Sequence, residues 1–277
     1  MTNPLTKYFR QPAIYIQLPS KGRFYANGSL KLPANSELPV LPMTAIDEIT
    51  YRTPDALFNG TAVVDVIKSC LPNIIDPWKI PGIDLDAILI GIRIASYGHT
   101  MDIETSCPYC QHENAYELDL RTVLDQIKAP DYNQPLKVGG VEIFFRPLSY
   151  DSINKNNLQQ FEEQRLIQAI PTMDGLTDEE KMGKLKEALG AVSKLSLAAI
   201  SESIEYIKAG DDRVDSIEYI SEYIANIDKD SYKKIRDRVI SFREQSDIKP
   251  LTIVCQNQEC KKTYETPFTL DVSNFFE

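Results

Sequence analysis

Four cysteines stand in two pairs, Cys107-Pro-Tyr-Cys110 and Cys255-Gln-Asn-Gln-Glu-Cys260, and side chains of this type at this spacing suit metal binding. A tetrahedral zinc site takes four soft ligands, and a two-cysteine knuckle on a hairpin tip presents two thiolates to it. Cys107, Cys110, Cys255 and Cys260 are therefore the candidate ligands of one structural zinc ion. Between Cys110 and Cys255 lie 144 residues, far more than common zinc ribbons use. Closing a flexible loop of that length costs roughly 4 kcal/mol. Structural zinc contributes about 10 to 16 kcal/mol in small peptides, so the metal outweighs the closure.

Two other readings of the same residues stay open. Cys-Pro-Tyr-Cys is also the active-site tetrapeptide of glutaredoxin-like dithiol enzymes, which place the thiolate at a helix N-terminus after a strand. Here Gln111–Leu120 reads as turn then strand, and the second pair has no part in such a mechanism. Four reduced, metal-free thiols are the third possibility. His112, two residues after Cys110, is a substitute ligand or, more simply, an exposed residue at the knuckle tip. Cys70, ending an apolar helical run, reads as a buried thiol.

Both pairs sit between alternating runs. Met101–Ser106 and Leu251–Val254 precede them, and the similar stretches Tyr116–Leu120 and Phe268–Val272 follow, so strand, knuckle and strand occur twice. The sequence around them divides into four parts. Residues 1–50 form a proline-rich, extended N-terminal arm, because Pro12, Pro19, Pro33, Pro39 and Pro42 prevent a long helix. Its aromatics Tyr8, Phe9, Tyr15, Phe24 and Tyr25 gain most by docking on a partner or on the protein's own body. Pro19-Ser-Lys-Gly-Arg-Phe-Tyr25 lacks the spacing of a phosphate loop and reads as a turn anchored by Phe24 and Tyr25.

Residues 51–149 form a helical body with the first knuckle. Short helices are expected over Ala45–Tyr51, after a Thr53-Pro54-Asp55 cap, and over Gly60–Cys70. A stronger one, from Asp84 to Gly98, is apolar nearly all round, with Gly91 tolerable where another backbone approaches closely. Leu136–Phe145 is a hairpin about Gly139-Gly140 that extends the small sheet. Residues 150–247 form a helical insertion with helices over Ser149–Ile170, from a Thr177/Glu180 capping box to Lys208 with bends at Gly183 and Gly190, over Ser216–Asn226, and from an Asp230 cap to Gln245. Residues 248–277 carry the second knuckle. The fold class is α+β: a helical body with a small antiparallel, zinc-ribbon-like module split by a helical insertion.

A chain of 277 residues with net charge −10 opposes nonspecific attraction to nucleic acid or anionic membrane. Lys261-Lys262 is the only basic pair at either knuckle, and Leu85–Ala95 is too short to span a bilayer. Five cysteines and the lack of an apolar leader fit a reducing cytoplasm. His99 and His112 lie near no nucleophile or phosphate loop, which leaves an enzyme without its parts. Protein–protein contact remains.

Leu5-Thr-Lys-Tyr-Phe-Arg-Gln-Pro12, Pro19–Tyr25, Pro42-Met-Thr-Ala-Ile-Asp-Glu48, Arg52-Thr-Pro-Asp-Ala-Leu-Phe-Asn-Gly60 and Ile94-Ala-Ser-Tyr-Gly98 together resemble the baseplate hub assembly protein of T-even-like contractile-tailed phages. The resemblance covers roughly residues 1 to 125 and includes the first Cys-x-x-Cys. It implies no catalytic residues. It implies a factor that works on phage baseplate hub proteins in the cytoplasm of the infected host, or else a hub subunit kept in the virion.

Overall fold

The computed structural model describes residues 3–53, 59–173, 175, 177–268 and 270. It is a mixed α+β protein with eight α-helices among the described residues, small antiparallel sheets, and a four-cysteine cluster. The chain divides into two compact units, residues 1–129 with 246–277, and residues 130–245.

In the first unit, β1 (Ile14–Gln17) pairs with β2 (Glu37–Val40), with Ile14 opposite Val40 and Gln17 opposite Glu37. Alternation sends Ile16, Leu38 and Val40 inward. Helices α1 (Ala45–Tyr51), α2 (Thr61–Cys70) and α3 (Gly82–Tyr97) complete this core. Of the expected Thr53-Pro54-Asp55 cap, Pro54 and Asp55 lie outside the described residues. Helix α3 is buried on almost every side, from Ile83 and Asp84 through Ala87–Ile94.

Gly91 of α3 is where a neighbour comes close, and that neighbour is a side chain rather than the expected backbone. An added Cβ would stand 3.1 Å from Ile16 Cγ2 and 3.2 Å from its Cδ1. Overpacking a core costs about 1–3 kcal/mol, against a helical gain of about 1 kcal/mol for Gly→Ala. Gly183, in the helix Asp178–Glu202, has open space around the same position. Gly91→Ala is therefore expected to lower the melting temperature and Gly183→Ala to raise it, as scanning calorimetry of the two variants checks.

The N-terminal fifty residues are only in part an arm. Pro4–Tyr8 makes a 3-10 turn, and Tyr8 (73%) and Phe9 (57%) are exposed. Arg10, next along the chain, is embedded. Its guanidinium donates to the Pro42 carbonyl, to Asp47 Oδ2 at 3.2 Å, and to the Ser69 carbonyl and Oγ at 2.7 Å each. Asp47 in turn closes the Thr44/Asp47 capping box of α1. The Pro19–Tyr25 stretch is a turn, with Lys21, Gly22 and Phe24 at positive φ. Ser20 anchors it, its N–H (2.8 Å) and hydroxyl donating to the buried Asp84 carboxylate, and the expected anchor Tyr25 is largely buried beside the same carboxylate. Burial pushes the Asp84 carboxyl up to about 6 in spite of those bonds.

The second unit holds a four-stranded antiparallel sheet in the order β5 (Leu136–Val138), β6 (Val141–Phe145), β7 (Ile204–Ala209), β8 (Asp212–Val214). Gly139 and Gly140, both at positive φ, turn β5 into β6. The expected hairpin is present, but its sheet partner is β7. Helix α5 (Tyr150–Ala169) packs on α6 (Asp178–Glu202), and α7 (Ile217–Asn226) and α8 (Lys229–Ser246) follow. The helix expected to reach Lys208 stops at Glu202, where the Ser203 N–H and hydroxyl turn back on the Ala199 carbonyl. Ile204 and Ile207 then pair with Phe145 and Ile143 across the ladder, and this pairing overrides the helical spacing. Asp228, rather than Asp230, caps the last helix by accepting from the Asp230 and Ser231 N–H groups. Ile143, Phe145, Ile220, Ile224, Ile235 and Phe242 make the core. No described helix is long and apolar enough to cross a membrane.

Candidate metal centre

Two antiparallel hairpins of the first unit present the cysteines. β3 (Thr100–Ser106) pairs with β4 (Glu113–Asp119), and β9 (Leu251–Val254) pairs with β10 (Thr263–Thr266). β4 ends at Asp119, whose carboxylate caps the helix α4 (Leu120–Gln126); of the matching stretch Phe268–Val272, most lies outside the described residues.

Each knuckle starts as its first strand ends. The Cys107 N–H donates to the His112 carbonyl (2.9 Å), and the Cys255 N–H donates to the Lys262 carbonyl (3.0 Å). One residue after the second cysteine the chain turns left-handed in both, at Gln111 (φ 58°) and Lys261 (φ 48°). The knuckles are thus equivalent although the second is two residues longer. Backbone amides stand beside the sulfurs: those of Tyr109 and Cys110 by Cys107, that of His112 by Cys110, and that of Lys262 by Cys260. Such amides favour the thiolate form.

All four Sγ atoms lie within 4.8 Å of one another. Cys107 and Cys260 are 3.9 Å apart, and Cys110 and Cys255 are 3.6 Å apart. A regular tetrahedron with Zn–S near 2.3 Å has sulfur–sulfur edges of about 3.8 Å, which these spacings bracket. The cluster could bind a metal such as zinc. Its electrostatics lean the same way. Burial raises the Cys107 thiol, but the Tyr109 and Cys110 amides together with the Cys110 and Cys255 side chains outweigh it and bring the group down to about 7. The amides of His112 and Lys262 draw Cys110 and Cys260 down, yet burial and neighbouring sulfurs leave both above the ordinary value. Four acids so crowded ionise together only beside a cation.

Residues that the sequence did not single out fasten the hairpins to each other. Asn114 is buried; its amide donates to the Tyr264 hydroxyl (3.0 Å) and the His112 carbonyl (3.1 Å), and its oxygen accepts from the Gln256 N–H (2.7 Å). Gln256 Nε2 donates to the Ala115 carbonyl (2.7 Å), and the Tyr116 hydroxyl reaches the Val254 carbonyl. Ile253 and Tyr264 form the apolar floor with Cys107 and Cys255. An Asn at an inward position of an alternating strand was the available signal for Asn114.

The remaining candidates lie elsewhere. The His112 side chain is exposed and outside the sulfur cluster, and the His99 carbonyl accepts from the Leu120 N–H. Lys262 Nζ stands over the Tyr109 ring at 4.6 Å. Cys70 is buried 3.9 Å from Arg10 Nη1, its thiol pushed up to about 12, mainly by burial and next by Asp47. A strand, not a helix, follows Cys110, so a helix N-terminus of the dithiol-enzyme kind is missing there.

No curated protein and no solved structure matches the chain. The family described as T4 bacteriophage base plate protein matches residues 38–277. The likeness therefore extends well past residue 125, through the second unit and the second knuckle, while Leu5–Pro12 and Pro19–Tyr25 precede the matched range. With most of its length matched, the chain belongs to the T4 bacteriophage base plate protein family.

Proposed function

We propose that the protein acts in assembly of the baseplate hub, as a non-enzymatic factor that works through protein–protein contacts in the cytoplasm of the infected host. Family membership supports baseplate partners. The observation that carries the reading further is the N-terminal turn: Leu5, Tyr8 and Phe9 are exposed, while Arg10 ties the next residue to Asp47 and Ser69. Aromatics held in place lose little conformational freedom when a partner covers them. Cys107, Cys110, Cys255 and Cys260 hold one zinc ion in this proposal. The metal supplies a crosslink between hairpins that are far apart in sequence, and no step of chemistry.

Quantitative mass spectrometry of purified particles beside infected-cell lysate tests the role. The expected result is protein bound to hub components in the lysate and depleted from finished particles. A fixed, stoichiometric amount in finished particles would replace the assembly factor with a retained hub subunit.

A further inference from the structure

We propose that the open face of the four-stranded sheet in the second unit docks an acidic polypeptide segment of a baseplate partner, with Lys208 and Arg213 receiving its carboxylates. The proposal rests on the protein working through baseplate contacts. Ile143, Phe145, Ile204 and Ile207 are buried on one side of this sheet, and Phe144, Tyr206, Lys208 and Arg213 mark the other. A row of charges crosses all four strands there: Lys137 faces Glu142, Glu142 faces Lys208, and Lys208 faces Arg213.

Lys208 and Arg213 are like charges directly opposite each other, an arrangement that destabilises a ladder unless an anion relieves it. Glu142 is engaged by Lys137 at 2.9 Å. Among the described residues no carboxylate pairs with Lys208 or Arg213 within ion-pair distance. Lys137 holds the Glu142 carboxyl below its usual range and Lys208 helps only at longer reach, so Lys208 and Arg213 stand exposed side by side without a close carboxylate.

The aromatics hold these cations in place and exclude another class of ligand. Phe144 and Tyr206 stack at 4.4 Å with 16° between ring planes. The Arg213 guanidinium covers Tyr206 at 3.8 Å, and Lys208 Nζ stands 5.2 Å from the Phe144 centroid. Single-stranded nucleic acid binds by stacking bases on open rings, but the faces of Tyr206 are taken by Phe144 and Arg213. Carboxylates need only the free donors of Arg213 and Lys208, and a guanidinium takes a carboxylate in a two-point contact.

The probe is a labelled peptide alternating Glu and Gly, added to the full-length protein at low salt and followed by fluorescence anisotropy. Lys208→Gln with Arg213→Gln is expected to weaken binding about tenfold, equivalent to about 1.4 kcal/mol. Lys233→Gln with Lys234→Gln removes the same charge from exposed positions of α8 and is expected to change it less than about twofold. Glu142→Gln removes the only carboxylate of the row and is expected to tighten binding about threefold, which decides the matter if the double variant does not fold. Equal losses in both double variants, no binding by the unaltered protein, preference for an oligothymidylate, or self-association that vanishes with Lys208 and Arg213 would each overturn the proposal. The lysate and particle measurement stands apart from all of these outcomes.

Discussion

Cys107→Ser and Cys255→Ser are each expected to strip the zinc and to lower the stability of the first unit by similar amounts, about 2.5 to 4 kcal/mol if each sulfur carries a quarter of the metal's contribution. The symmetry follows from the geometry. Each knuckle contributes one buried sulfur, Cys107 or Cys255, and each buried sulfur has its close neighbour in the other hairpin, at 3.9 and 3.6 Å. Protein purified without chelator is expected to carry about one zinc per chain. Chelator titration followed by thermal melting then compares the two variants with the parent. A dithiol enzyme behaves differently: glutathione-coupled reduction that is lost in Cys107→Ser and kept in Cys255→Ser would sink the structural assignment. The Asn114 network predicts a graded response, because the hairpins keep their hydrogen bonds to one another after the metal leaves.

Arg10→Ala is expected to destabilise the protein by roughly 2–3 kcal/mol, whereas removal of residues 1–9 is expected to leave its melting temperature nearly unchanged. The difference lies in what each change uncovers. Asp47 is mostly shielded from water and accepts from Arg10, Thr44 and Ser69, so losing the guanidinium leaves a carboxylate without its counter-charge. Leu5, Tyr8 and Phe9 are exposed, so the folded chain loses little apolar burial without them. If they are the handle for a hub protein, co-purification fails in the shortened chain while the fold persists. Unfolding of the truncated protein, or full-strength binding by it, would refute that role. A deletion through residue 12 confounds the two effects because it takes Arg10 with the aromatics.

Local chemistry was legible in the sequence wherever the cause was local. Thr177 with Glu180 caps a helix through side chains three residues apart, and the expected capping box is present; Thr44 with Asp47 makes a second one that was not read from the sequence. Gly139-Gly140 makes its turn because glycine tolerates positive φ, and the alternation in Leu251–Val254 makes its strand. The four thiols also announced themselves, since two short Cys-to-Cys spacings need only a hairpin each. Their convergence was an inference from ligand chemistry, and only the tertiary structure brings sulfurs separated by 144 residues within 4.8 Å.

What the sequence by itself could not determine depended on partners distant in the chain. Ile204–Ala209 continues a helical spacing, and it becomes a strand because β6 offers it a ladder. Arg10 reads as one more residue of a proline-rich arm until Pro42, Asp47 and Ser69 meet around it. Asn114 is a polar residue in a short strand until Tyr264 and Gln256 arrive from the other hairpin. Propensity and capping act over a few residues and leave a mark in the string, whereas a buried hydrogen-bond network has no sequence period and exists only after the fold has closed.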